Sequence, residues 1–136
     1  MPEIQFKGKE VEIPEFGIKW IPTAQVRLVT AKATYFCEMI VDSGADITLI
    51  PKSMGEFLGF SLTQENEIRE DRGIGEGAIP YIIKVLNIKI GEYIIHSRIG
   101  ITLIEEVPLI LGRLDVFDHF NIEFRQKGRL IIFRPT

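Results

Sequence analysis

The chain is predicted to be all-β, a small closed or folded-over sheet with one short helix near its C-terminus. Three observations lead there. Apolar and polar residues alternate with a period of two along most of the sequence, isoleucine and valine are abundant, and short polar or glycine-containing breaks separate the runs. With 136 residues the chain makes one domain with one core.

The elements follow in order. Ile4-Gln5-Phe6 and Val11-Glu12-Ile13 alternate around Lys7-Gly8-Lys9-Glu10, which predicts a short hairpin, so residues 1–19 read as an N-terminal extension and 20–136 as the main domain. Residues 25–30 and 34–41 form two strands about Ala31-Lys32-Ala33. At 51–59 the alternation breaks. Ser53 and Glu56 are spaced as a capping box and Gly59 as a stop, so a short helix or turn is expected. Residues 67–72 and 78–84 flank a glycine-rich tip, and 85–90 and 93–102 turn about Gly91-Glu92. Leu114, Phe117 and Phe120 have helical spacing within 112–120, and residues 122–124 pair with 130–133 in a closing hairpin. No repeat or low-complexity segment divides the domain.

Asp42-Ser43-Gly44 ends the apolar run 37–41 and precedes a second one, Ile47-Thr48-Leu49-Ile50. Asp accepts backbone N–H bonds and Gly tolerates unusual backbone angles, so the triplet suits a tight turn that holds a carboxylate between two buried strands. Leu109-Ile110-Leu111-Gly112-Arg113 follows about seventy residues later, with Gly73-Ile74-Gly75-Glu76-Gly77 between them.

In this order and spacing the three elements resemble the retropepsin-type aspartic proteases, from about Trp20 to the C-terminus. The resemblance implies that Asp42 is the catalytic carboxylate. It makes the 109–112 stretch the strand beneath the active-site loop and the glycines 73–77 the tip of a flap. Such chemistry needs two carboxylates, and no second Asp-Ser-Gly or Asp-Thr-Gly occurs; Asp71-Arg72-Gly73 lacks the hydroxyl. One domain is too short for two lobes, so the second carboxylate is expected from a symmetric homodimer, Asp42 facing Asp42. Two facing carboxylates cannot both ionise easily, and they share one proton. That behaviour belongs to the aspartic-protease class and is taken over from it. The ionised member activates a water while the protonated one donates to the scissile carbonyl.

The resemblance also gives Ser43 a supporting hydrogen bond across the axis, alongside Gly44 and Gly112. Asp46 and Arg113 carry opposite charges in segments the family places side by side, which predicts an ion pair beneath the cleft. Gly75 and Gly77 would let backbone N–H groups grip an extended peptide, with Ala45, Ile74, Ile79 and Ile110 as apolar walls. Glu76 departs from the small neutral residues of retroviral flap tips, so either flap closure or substrate preference is expected to differ, an acidic tip favouring basic peptide residues. The chain also continues past the point where retroviral members end. That longer ending resembles cellular and microbial members, and its hairpin, with Ile122, Phe124, Leu130 and Ile132 more apolar than a free edge should be, is expected to supply the subunit contact; folded back on its own core it would instead leave a monomeric, inert chain.

Other classes are poorly served by the composition. A net charge of −3 with scattered basic residues gives no footprint for nucleic acid, and no apolar run reaches membrane-spanning length. The single cysteine, Cys37, fits a reducing, cytoplasmic setting. His96, His119 and Cys37 lack a compact metal-ligand spacing, and neither histidine has a motif linking it to Ser43 as a base, so no metal or organic cofactor is expected. Asp115 and Asp118 read as capping or solvating residues. The substrate expected is an extended or unfolded polypeptide. The alternative is a non-catalytic peptide-binding or dimerisation module on the same fold.

Overall fold

The computed structural model describes residues 2–63, 68–71 and 79–136. The strands are β1 (Ile4–Phe6), β2 (Lys9–Ile13), β3 (Gly17–Ile21), β4 (Thr23–Val29), β5 (Thr34–Val41) and β6 (Thr48–Ile50), followed by helix α1 (Lys52–Phe57). Then come β7 (Ile68–Asp71), β8 (Ile79–Ile90), β9 (Tyr93–Thr102), β10 (Ile110–Leu111), a 3-10 turn at Phe117–His119, β11 (Phe120–Arg125) and β12 (Leu130–Pro135). No helix among the described residues is long and apolar enough to cross a membrane.

Six strands close a barrel in the order β4-β5-β10-β6-β9-β8, with β8 returning to pair with β4, while β7 lies outside on the edge of β8. Alternation decides which side chains fill it. In β4, Ala24, Val26 and Leu28 are buried while Gln25 and Arg27 are exposed. Met39, Ile50, Ile88, Ile99, Ile101 and Leu111 complete a fully buried interior, each contributing about 1.5–3 kcal/mol of apolar burial. The β8–β9 hairpin turns through Gly91-Glu92 with Ile90 opposite Tyr93 and a positive φ of 57° at Gly91, which a glycine adopts without strain.

A second sheet, β1-β12-β11, packs on the barrel. Its seam is aromatic: Phe133 meets Phe6 and Phe120 edge-on at 5.6 and 5.3 Å, and Phe120 meets Tyr93 of β9 at 5.4 Å. The 122–133 hairpin forms as expected, with Ile122 opposite Phe133. Ile131, Ile132 and Phe133 are buried within the chain itself.

Three expectations are corrected. Residues 4–6 do not pair with 11–13; β1 pairs with β12 and β2 with β3, whose Trp20 is buried and donates its indole N–H to the Lys7 carbonyl at 2.8 Å. The capping box is not made. Pro51 is the N-cap without a side-chain bond, and the Ser53 N–H and hydroxyl instead donate to Glu105, far along the chain. The expected C-terminal helix is only the 3-10 turn, because Asp115 at φ 64° interrupts right-handed helical geometry. The longest helix of the described residues is α1, which ends at Gly59 with φ 97°.

Candidate active site

Asp42 follows directly on β5 and is half-buried. Its turn is fixed from within: the Gly44 N–H donates to the Asp42 carboxylate Oδ1 at 2.9 Å, and the Ala45 N–H to the Asp42 carbonyl at 3.2 Å. It is also fixed from beneath. The short strand β10 inserts between β5, which it meets in parallel with Leu111 opposite Val41, and β6, which it meets antiparallel with Ile110 opposite Leu49. The Asp42 N–H donates to the Leu111 carbonyl at 3.1 Å, so the carboxylate-bearing residue hangs from the inserted strand.

Gly112 ends that insertion. A Cβ there would lie 2.3 Å from both the carbonyl carbon and oxygen of Ile47, so only glycine lets the two backbones approach. Its N–H donates at 3.0 Å to Oγ1 of Thr48, a fully buried side chain. Beyond it the Arg113 N–H reaches the Ala45 carbonyl at 3.0 Å and the Leu114 N–H the Asp46 carbonyl at 2.9 Å. The two motif segments therefore lie side by side, as expected, but the bond between them is peptide to peptide. The ion pair expected between Asp46 and Arg113 is not formed. Both side chains are exposed, where water competes well for each charge.

An ion pair that sequence reasoning did not find stands one step further on. Arg98 of β9 grips Asp115 with two side-chain bonds, 2.9 Å from Nε to Oδ2 and 3.0 Å from Nη2 to Oδ1, and its own N–H donates to Oδ2 at 2.9 Å. The Arg98 side-chain hydrogen bonds pull the Asp115 carboxyl down to about 2. This clamp ties the segment after Gly112 to the barrel wall. Thr48 was the other supporting residue without a role assigned from sequence; its place in the motif, a lone hydroxyl within an apolar strand, was the available signal.

Of the remaining expected site residues, Ser43 and Gly44 are exposed on the turn, with no hydrogen bond from the Ser43 hydroxyl among the described residues. Ala45 and Ile110 are half-buried on the two segments that meet at Asp42. Ile79 is half-buried and begins β8 opposite Asp71, on the β7–β8 hairpin rather than on the turn. Ile74, Gly75, Glu76 and Gly77 lie outside the described residues. Cys37, partly buried in β5, has its thiol pushed up to about 11 by desolvation, which keeps it protonated and poorly nucleophilic at neutral pH.

No family model matches the chain, and no curated protein matches it in sequence. Solved structures do. The crystal structure of a retropepsin-like aspartic protease from Rickettsia conorii is similar over 97% of this chain and 98% of that one, with a TM-score of 0.69 and 18% identity. The EIAV protease in complex with an inhibitor aligns over 76% of this chain and 88% of that one, with a TM-score of 0.48 and 21% identity. The fold of this chain is retropepsin-like.

Proposed function

We propose that the chain is an aspartic endopeptidase that acts as a symmetric homodimer on extended polypeptide. The observation that carries this reading is the suspension of Asp42 from an inserted strand. Its N–H is bonded to Leu111 and its carboxylate to the Gly44 N–H, on a retropepsin-like fold. A turn that needs only to reverse the chain has no use for a second strand threaded beneath it.

Asp42 and its copy across the two-fold axis would hold a water between them. The ionised carboxylate takes a proton from that water as its oxygen attacks the scissile carbonyl carbon, and the protonated carboxylate donates to the carbonyl oxygen. The tetrahedral intermediate then collapses with cleavage of the C–N bond and protonation of the leaving nitrogen, giving two peptides and no covalent enzyme adduct. The exposed Ser43 hydroxyl is available to bond the partner's turn. The expected flap tip, with Ile74, Gly75, Glu76 and Gly77, lies outside the described residues; in this reading it would meet the same peptide as Ala45, Ile79 and Ile110. The antiparallel pairing of β7 with β8 supports it. Strand β11, at the edge of its three-stranded sheet with Phe124 38% exposed, is the proposed subunit contact. A reducing, cytoplasmic setting suits the unpaired Cys37.

The test is digestion of a diverse peptide library from acid to neutral pH, read by mass spectrometry, for the parent and Asp42→Asn, with sedimentation of both. Cleavage by a dimeric parent, reduced about 10²–10⁴-fold or more in the variant, is the expected result. A dimer that cleaves nothing sinks the catalytic reading and leaves a peptide-binding module.

A further inference from the structure

A groove of about 450 Å³ lies on the outer wall of the barrel, lined by Arg27, Val29, Phe36, Asn87, Lys89 and Ile94, among others. It is separate from the candidate active site, since Phe36 and Asp42 are six residues apart along one strand direction, about 20 Å. At its centre four side chains stand in one cross-strand row: Phe36 opposite Arg27, Arg27 opposite Lys89, and Lys89 opposite Ile94. Their strand neighbours Val26, Leu28, Ile88, Ile90 and Ile95 are buried, so the row faces outward.

Two features of that row are unfavourable in the isolated chain. Phe36 and Ile94 are 69% and 67% exposed, although both sit on regular strands where a polar residue would serve. Arg27 and Lys89 are like charges placed directly opposite one another, an arrangement that destabilises a strand pair. Neither has an ion-pair partner among the described residues; the guanidinium of Arg27 lies over the Phe36 ring at 5.0 Å, which leaves its N–H donors free for an anion. Neither Glu38 nor Glu92 forms an ion pair with them. Glu38 accepts from Thr23 and Gln25, and Glu92 stands at the rim beside Lys89.

We propose that this row is a docking site for an extended peptide carrying one acidic residue between two apolar ones. The spacing suits that occupant. Phe36 and Ile94 line the same groove three inter-strand steps apart, at most about 14 Å along the curved wall, and an extended peptide can place residues i and i+4 up to about 13 Å apart on one face with i+2 between them. An apolar residue at each end packs on Phe36 and Ile94 while the central carboxylate bridges Arg27 and Lys89. A polyanion is disfavoured, because Glu92 lines the adjoining cleft together with both cations. The site does not rest on the proposed protease activity.

The test uses full-length Asp42→Asn protein, so that no probe is cut. A soluble peptide containing Leu-Thr-Glu-Thr-Phe is titrated while backbone amide shifts are followed by NMR. Saturable shifts centred on Arg27, Phe36, Lys89 and Ile94 are expected. Binding should weaken about tenfold when the probe's Glu becomes Gln, or when Arg27→Gln and Lys89→Gln are combined. Phe36→Ser, which leaves both cations, should weaken it as well. Absence of shifts at millimolar probe overturns the proposal, as does binding that persists in folded Arg27→Gln/Lys89→Gln protein. Preferential binding of phosphatidylserine vesicles over the probe, lost in that same variant, would assign the row to a membrane surface and overturn it too.

Discussion

Replacing Gly112 by Ala tests whether the inserted strand holds the Asp42 turn. The new methyl group would lie 2.3 Å from the Ile47 carbonyl carbon and oxygen and 2.9 Å from its Cα, all backbone atoms that no rotamer change can move. Relief requires Ile47 and Gly112 to separate by about 1 Å, which costs on the order of 1–3 kcal/mol as overpacking. The same separation stretches the bond from Gly112 N–H to Thr48 Oγ1, worth about 1 kcal/mol. A loss of about 3 kcal/mol lowers the midpoint of a domain this size by roughly 10 °C. Circular dichroism melts measure it, with Gly128→Ala as the control: a Cβ there meets only Arg125 Cβ, at an ordinary 3.7 Å. If Asp42 is catalytic, peptide cleavage by Gly112→Ala should also fall about 100-fold, since a 1 Å misplacement is enough. A Gly112→Ala melt within about 2 °C of the parent would refute the argument that this approach is tight.

Two further substitutions probe the supports. Thr48→Val keeps the shape but strands the buried Gly112 N–H, so chemical denaturation should show a loss of about 1–3 kcal/mol that Thr48→Ser restores in part. Asp115→Asn removes the charge that Arg98 holds. Because the folded carboxyl titrates at about 2, below its unfolded value of 3.8, its stabilisation is present above about pH 4 and disappears as pH falls through 2. Parent and variant melts should therefore differ at pH 6 and converge near pH 2; a difference that is constant across this range would contradict the assigned role of the charge.

Much of the barrel was legible because local alternation carries it. The pairing of 23–29 with 34–41 and of 120–125 with 130–135 needs only short turns between adjacent runs, and the period of two marks their faces. Strand β8 was harder: residues 79–90 form one element, where the break between hairpins suggested two. Pairings between distant segments left no local trace. Ile4–Phe6 alternates equally well for β2 or for β12, and only the aromatic contact of Phe6 with Phe133 decides between them. At the site, Asp42, Gly44 and Gly112 could be read because their chemistry is unusual for their positions. Asp46 and Arg113 misled for the opposite reason. Complementary charge suggested a contact that the backbone already makes, whereas the Asp115–Arg98 clamp joins residues whose proximity depends on the completed barrel.

The late position of β10 also sets a timetable. During synthesis the Asp42 turn leaves the ribosome well before Leu111, whose carbonyl it needs, and before Gly112, whose N–H Thr48 is waiting for. Until then β5 and β6 have a gap between them where β10 belongs. A nascent chain ending at residue 105 thus carries the carboxylate but not its anchor, and closing so long a loop is among the slower steps available to a small domain. The order of the sequence itself delays assembly of the turn until Leu111 and Gly112 have been made, long after Asp42.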